Sequence, residues 1–293
     1  KGMDFTMAAD TFFRQNSHKW KNDKHREQWI ASMKTYIYPS LGKFPVAGIR
    51  GSVIARALEP VWESRPDTAL RVLQRVGVVL KWAQENSIRD ISAFDSIKEA
   101  KNILPKQNKV RRTHKAMPFD EIPGFLYKLR QSNINDAVKI ALELLILTAR
   151  STGEILNLQA DQCDLKKRLW LLNNVSDPID TLRIPLSRRA ARLIEQGLKS
   201  NNEFLFPSQN EGIPRSRMPL LRVLRDFGLS YTVHGFRQSF KAWSLAHSTV
   251  PGLVVDIAIG RVKSRTQLDN IQESPQLFKK RQDLMEAWAW FLN

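Results

Sequence analysis

The sequence predicts a mainly α-helical chain with a small β-sheet, organised as two domains with the sheet in the second. Three observations predict this. Apolar residues recur at three- and four-residue spacing through most of the 293 residues. Two short runs past the midpoint, RLWLLN and TLRIPLS, carry strand-forming residues instead. A stretch around residue 110 is basic and has no apolar period. With 42% hydrophobic residues, a chain of this length can bury a sizeable core, or two.

The first domain spans residues 1–104 and reads as helical throughout. Its clearest segments are Ala9–Trp20, Lys24–Tyr38, Gly51–Ser64 and Pro66–Asn86. The last of these opens on proline, carries Asp67 in its first turn, and puts Ala69, Val72, Val76, Val79 and Leu80 on one face. Thr68, Arg71 and Arg75 fall on another face. Together with Lys19, Lys21 and Lys24 they form a candidate phosphate-contacting surface.

Residues 105–116 read as a basic linker. From Lys101 to Lys115 the chain holds Lys101, Lys106, Lys109, Arg111, Arg112 and Lys115 without one acid, and the apolar period stops after Pro105. Such a run is either a solvated connector or a track for a nucleic-acid backbone.

The second domain, 117–293, returns to helical spacing in FDEIPGFLYKLRQ and in DAVKIALELLILTA, which is apolar enough to be a buried central helix. The two strand runs follow, separated by NVSDPID, whose Asn, Asp and Pro are turn residues, so a small hairpin or meander is expected. Five further helical segments complete the domain, from SRRAARLIEQGL to QLFKKRQDLMEAWAWFLN. In the last, Leu284, Trp288 and Phe291 share a face that is expected to pack in its own domain.

Lys and Arg outnumber Asp and Glu by 46 to 29, a net charge of +17, which points to a polyanionic partner: nucleic acid or a membrane surface. No run is long enough to span a bilayer, and the opening residues lack a signal-peptide pattern, so an intracellular protein is expected. The single Cys163 cannot form an internal disulfide and reads as small core filler. Neither a cofactor nor a metal is expected.

The chemistry concentrates in TVHGFRQSFKAW, where His234 and Arg237 stand three apart and can hold one phosphate from the same side. Around it, LTARSTGEILNLQADQCDL, the hairpin ending in LRIPLS, and KKRQDLMEAWAWF occur in an order and spacing that resemble the catalytic domain of phage-type integrases, members of the tyrosine recombinase family. Upstream, WKNDKHREQW, TYIYPSLG, LEPVWESRPDTALRV and LPKQNKV resemble the core-binding domain and linker of prophage and genomic-island integrases. The resemblance implies two domains that clamp duplex DNA, with the linker closing the ring. It also implies an amino-terminal arm-binding domain, which is not seen after Lys1, so an upstream segment is expected.

An active member needs a Tyr to attack the scissile phosphate, two Arg and a His to hold the phosphorane, and a Lys to protonate the leaving oxygen. His234 and Arg237 match one box. In the other, Arg belongs three residues before Glu154, where this chain has Ser151; Arg150 stands one earlier, and on a helix that shift turns the side chain by about 100°. The hairpin Lys position holds Asp177, the third-box His position holds Arg261, and the nucleophile position holds Gln272. No tyrosine follows Tyr231, and packing roles are expected for Tyr36, Tyr38, Tyr127 and Tyr231.

The sequence therefore predicts a protein that binds double-stranded DNA and has lost strand cleavage, serving as a regulator or architectural factor on the nucleoid of a bacterial cytoplasm, and derived from a prophage or other mobile element. Two alternatives stay open. One is an active integrase with an unorthodox site using Arg150. The other is a non-catalytic subunit of a mixed recombinase assembly, joined to itself or another protomer through the terminal helix 284–293.

Overall fold

The structure is a computed structural model that describes residues 2–20, 23–107, 115–174, 177–198, 204–208, 216–261 and 274–293. The chain divides into two compact units, Lys1–Arg111 and Arg112–Asn293.

The first unit is helical: α1 (Phe5–Asn16), α2 (Asp23–Tyr36), α3 (Tyr38–Leu41), α4 (Gly51–Trp62), α5 (Pro66–Glu85) and α6 (Ala93–Ile103). In α5 the five apolar residues picked out by spacing are all fully buried, against a core that includes Met33, Ile54 and Leu58. Helix α6 lies beyond the clearest periodic segments. It faces the core with small residues, Ala93, Ser96 and Ala100, which carry little periodic signal. Its start is fixed by the Ser92 hydroxyl, which accepts the Asp95 N–H. Close approach to α4 demands glycine at 51, because a Cβ there would stand 2.6 Å from the Ala100 nitrogen. The buried Arg89 is fully engaged. Its guanidinium donates to the carbonyls of Val46, Ile49 and Ile91 and to Ser96 Oγ, tying together loops that would otherwise hold orphaned carbonyls.

The second unit is built around α8 (Asp136–Thr148), with eight of its last nine apolar and polar side chains packed as core on every side. Around it lie α7 (Ile122–Gln131), α9 (Thr152–Leu156), α10 (Arg188–Gly197), α11 (Met218–Asp226), α12 (Phe236–His247), α13 (Gly252–Ala258) and α14 (Pro275–Phe291). One acid enters this core: Glu143, gripped by Arg130 and Arg189 at 2.8 Å each. Burial pushes its carboxyl up, but the two guanidinium hydrogen bonds and charges outweigh it and hold the carboxyl below its usual range.

The sheet has three antiparallel strands in the order β1 (Cys163–Asp164), β2 (Leu169–Asn174) and β3 (Asp177–Pro185). Trp170 pairs with Ile184 and Leu172 with Leu182, and the register shifts between Asn173 and Asn174. Two sequence expectations change here. The run from Asp177 to Asp180, taken as turn, is strand, because the ladder with β2 continues past the register shift and absorbs the turn-prone residues. The two-residue β1 is too short to leave a periodic trace.

Helix α14 closes the unit. Leu284, Met285, Trp288 and Ala289 are buried, Phe291 stacks on Trp288, and the Trp288 indole donates to the Ile146 carbonyl at 2.9 Å. The face read as core is thus spent within its own unit, and Trp290 is the residue left out, 82% exposed. Among the described residues no helix is long and apolar enough to cross a membrane.

Candidate functional site

The first box departs from helical geometry before it reaches its charged residues. Helix α8 ends at Thr148, and Ala149 adopts the left-handed conformation at φ 50°, which terminates the helix. Arg150 therefore lies in a connector and not on a helix, and the rotation of about 100° expected from a one-residue helical shift does not apply. Ser151 then caps α9: its hydroxyl accepts the Glu154 N–H at 3.3 Å, while the Glu154 carboxylate accepts the Ser151 N–H at 2.6 Å. This reciprocal pair is a capping box, and the spacing Ser-x-x-Glu carried that signal in the sequence.

Arg150 turns inward. It is 3% exposed, pairs with Glu154 through Nη2, and directs Nη1 to the Ala258 carbonyl at 3.5 Å. Burial works against the Glu154 charge, yet the adjacent Arg150 guanidinium and the Ser151 N–H hold its carboxyl below the usual range.

Arg237, on the first turn of α12, reaches the same turn of backbone from the other side and donates to the Ile259 carbonyl. Both guanidiniums thus use the end of α13. Gly260, which follows, has φ 68°, and a Cβ on it would stand 2.8 Å from Arg150 Nη1. Glycine is required there both for the backbone and for the guanidinium. Arg261 comes next and is exposed, with its N–H donating to the Asp256 carbonyl at 2.7 Å. Burial lowers the Arg237 pKa, and the neighbouring Arg150 and Arg261 lower it further against the opposing pull of Glu154. Arg150 and Arg261 thus place two further positive charges near Arg237, with Glu154 opposing them. Arg237 is half-buried and Arg261 exposed, so both keep guanidinium surface open to an oxyanion.

His234 precedes α12 in a 3-10 turn, Val233–Gly235, which is held by the Thr232 hydroxyl accepting the Gly235 N–H at 3.1 Å. It is half-buried, one turn before Arg237. The structure thus brings Arg150, Glu154, Arg237 and Arg261 together. Asp177 begins β3 but its side chain is outside the described residues, as is Gln272.

The spacing of the sequence passed over Arg281. Its guanidinium, 1% exposed on α14, donates to the Arg183 carbonyl at 2.9 Å, and its Nε and Nη2 have no hydrogen-bond partner. Burial, then the charges of Arg183 and Arg150, push its pKa down to about 10. A signal existed: Arg281, Leu284 or Met285, and Trp288 follow helical spacing on the buried face.

The tyrosines mostly have structural partners. Tyr38 donates to Asp10 at 2.9 Å and Tyr36 accepts from Arg65 at 3.0 Å. Tyr231 donates to Glu121 at 3.1 Å, and that hydrogen bond raises its pKa, the opposite of activation for attack. Tyr127 differs from the packing role expected of it: it lies on the outer face of α7, 62% exposed. Cys163 is half-buried, and burial followed by the nearby Asp161 pushes its thiol up to about 12.

Of the basic candidates in the first unit, Arg71 and Lys106 are exposed and Thr68 is half-buried. Exposed Lys19 bonds Asn16 at 3.4 Å. Arg75 is committed inside its unit, donating to the Gln28 carbonyl and Ser32 Oγ, so it braces α5 against α2. Lys115, in the second unit, is exposed. Lys21, Lys109, Arg111 and Arg112, and the side chain of Lys24, lie outside the described residues.

The family model for the phage integrase central domain matches residues 5–100. The chain is 25% identical over 303 aligned positions to the integrase of Enterobacteria phage P4, covering 95% of this chain and 67% of that protein. It is 26% identical to the prophage integrase IntZ of Escherichia coli K12, covering 80% of this chain and 58% of IntZ. Among solved structures, the Tn1549 transposon integrase in complex with a circular intermediate DNA superposes with a TM-score of 0.69 at 15% identity, over 92% of this chain and 95% of that one. A λ integrase dimer bound to a core site gives 0.68 at 16% identity, over 93% and 96%. The solved structures share the fold, the family model matches the first unit, and the sequence relatives extend the likeness along the chain: the chain is similar to phage and prophage integrases.

Proposed function

We propose that this chain binds double-stranded DNA and does not cut it, acting as a regulator or architectural factor on a bacterial nucleoid. The observation that carries this reading is the fate of the first box. Ser151 stands where the phosphate-holding Arg is expected and is used as a helix cap, while Arg150 is buried against Glu154. Support also comes from the nucleophile and general-acid positions, occupied by Gln272 and Asp177, and from the absence of tyrosine between Thr232 and Asn293. Phosphate binding needs less than cleavage does. Arg237 and Arg261, with His234 nearby, can hold a phosphate by charge and hydrogen bonds, but a guanidinium is a poor proton carrier at neutral pH. The net charge of +17 and relatives solved in complex with DNA favour duplex as the partner.

The test is a duplex carrying a nicked, suicide-type site. Binding that weakens steeply with salt, without a covalent adduct, supports the reading. An adduct that survives boiling in detergent overturns it and favours an active enzyme.

A second reading, a non-catalytic subunit in a recombinase assembly, is favoured by the exposed Trp290. Deleting residues 284–293 would remove core side chains, so Trp290→Ser is the cleaner probe. It should leave monomer binding intact and weaken assembly on DNA.

A further inference from the structure

We propose that Arg217 supplies the phosphate contact the first box has lost, as an exposed guanidinium seated over Gly153 beside Ser151. This rests on the DNA-binding reading and names a residue that reading does not require. Arg217 is the N-terminal cap position of α11, remote in sequence from the first box. Its guanidinium nevertheless lies on the first turn of α9: a Cβ built on Gly153 would stand 2.8 Å from Arg217 Nη2 and 4.0 Å from Ser151 Oγ. The end of Arg217 and the side chain of Ser151 thus meet at one point, the point that glycine leaves open.

The two nearby arginines differ in availability. Arg150 is 3% exposed and directs both terminal nitrogens inward, to Glu154 and to the Ala258 carbonyl. Arg217 is exposed, and its side chain has no acidic partner among the described residues. Of the two arginines beside the first box, Arg217 is therefore the one open to a phosphate. A guanidinium there replaces what Ser151 cannot offer: a fixed fork of donors matched to phosphate oxygens. Gly153 makes the seat, since any side chain at 153 would push the guanidinium away. That displacement is cheap for the fold, because only the far end of a flexible side chain has to move.

The experiment is titration of the full chain with duplex DNA over a range of salt concentrations. Each phosphate contact contributes about 0.9 to the slope of log affinity against log salt. Arg217→Ala should lower the slope by about one contact and weaken binding, with an unchanged melting temperature. Gly153→Ala should act in the same direction. Ser151→Arg placed in the Arg217→Ala background should restore the slope, because it returns a guanidinium to the same place. If the wild-type chain binds duplex and Arg217→Ala leaves both slope and affinity unchanged, this inference falls while the DNA-binding reading stands. If the wild-type chain does not bind duplex, both fall. Should Arg217→Ala lower the melting temperature, Arg217→Gln, which keeps the packing stem, decides the matter by the same slope.

Discussion

Arg150 and Arg237 converge on consecutive carbonyls: Arg150 Nη1 points to Ala258 at 3.5 Å and Arg237 donates to Ile259. Two cations that repel one another are held side by side by the end of α13 and by the one carboxylate of Glu154. They are not equivalent. Arg150 is almost wholly buried, whereas Arg237 keeps part of its side chain in solvent.

That asymmetry predicts a separation of phenotypes. Arg150→Met leaves Glu154 without its ion partner and should cost about 3 kcal/mol of stability, measured by denaturant unfolding. Arg237→Ala should leave unfolding nearly unchanged and lower the salt slope of DNA binding by about 0.9, one phosphate contact. Equal effects of both variants on both measurements would refute the division of labour.

Glu143 predicts an acid-side instability. Its carboxyl titrates below its ordinary range in the fold, despite burial, because Arg130 and Arg189 bind the ionised form. A carboxyl depressed on folding contributes stability that is fully present above its unfolded pKa and is lost as pH falls through the folded value. Unfolding free energy of the wild type should therefore fall on acidification below about pH 4.5. Glu143→Gln should be less stable by about 3–5 kcal/mol at neutral pH, since two guanidiniums lose their anion. It should also show a shallower decline in acid, and an unaltered decline would assign the effect to other carboxylates.

Gly260 and Gly228 form a matched pair for measuring what Arg150 needs. Both have positive φ, 68° and 67°, but a Cβ on Gly228 would meet nothing within 4 Å, whereas one on Gly260 would press on Arg150. Gly228→Ala should cost about 1 kcal/mol, the conformational penalty alone. Gly260→Ala should cost more, in the range of about 1–3 kcal/mol, because the guanidinium must also move. Equal destabilisation of the two would mean that Arg150 yields freely.

Much of this fold is legible in the sequence because long amphipathic helices announce themselves. The spacing of Ala69, Val72, Val76, Val79 and Leu80 fixes the buried face of α5, and Leu284 and Trp288 do the same for α14. Short or close-packed elements hide. Helix α6 buries alanine and serine, β1 is two residues long, and β3 begins in residues that ordinarily make turns. In the site, HGFR is visible as a local motif, but the geometry of the first box depends on one left-handed residue, Ala149, that no propensity singles out. Arg217 could not have been found by spacing, because its relation to Gly153 is purely tertiary.

The proposed loss of cleavage predicts how the chain responds to repair. A nucleophile, the cations that hold the phosphorane and the acid that protonates the leaving oxygen act as one unit, and the loss of any one conceals the contribution of the rest. Gln272→Tyr alone should therefore give no detergent-stable adduct with a nicked duplex. On the proposed reading its phenol would attack a phosphate with Ser151 in place of the first-box Arg and Asp177 in place of the general acid. Combining Gln272→Tyr with Ser151→Arg and Asp177→Lys returns the attacking group, the second cation and the proton donor together, and adduct should then accumulate. Formation of adduct by Gln272→Tyr on its own would show that Arg150 or Arg217 already fills the first-box role in catalysis, and that cleavage was lost through the nucleophile alone.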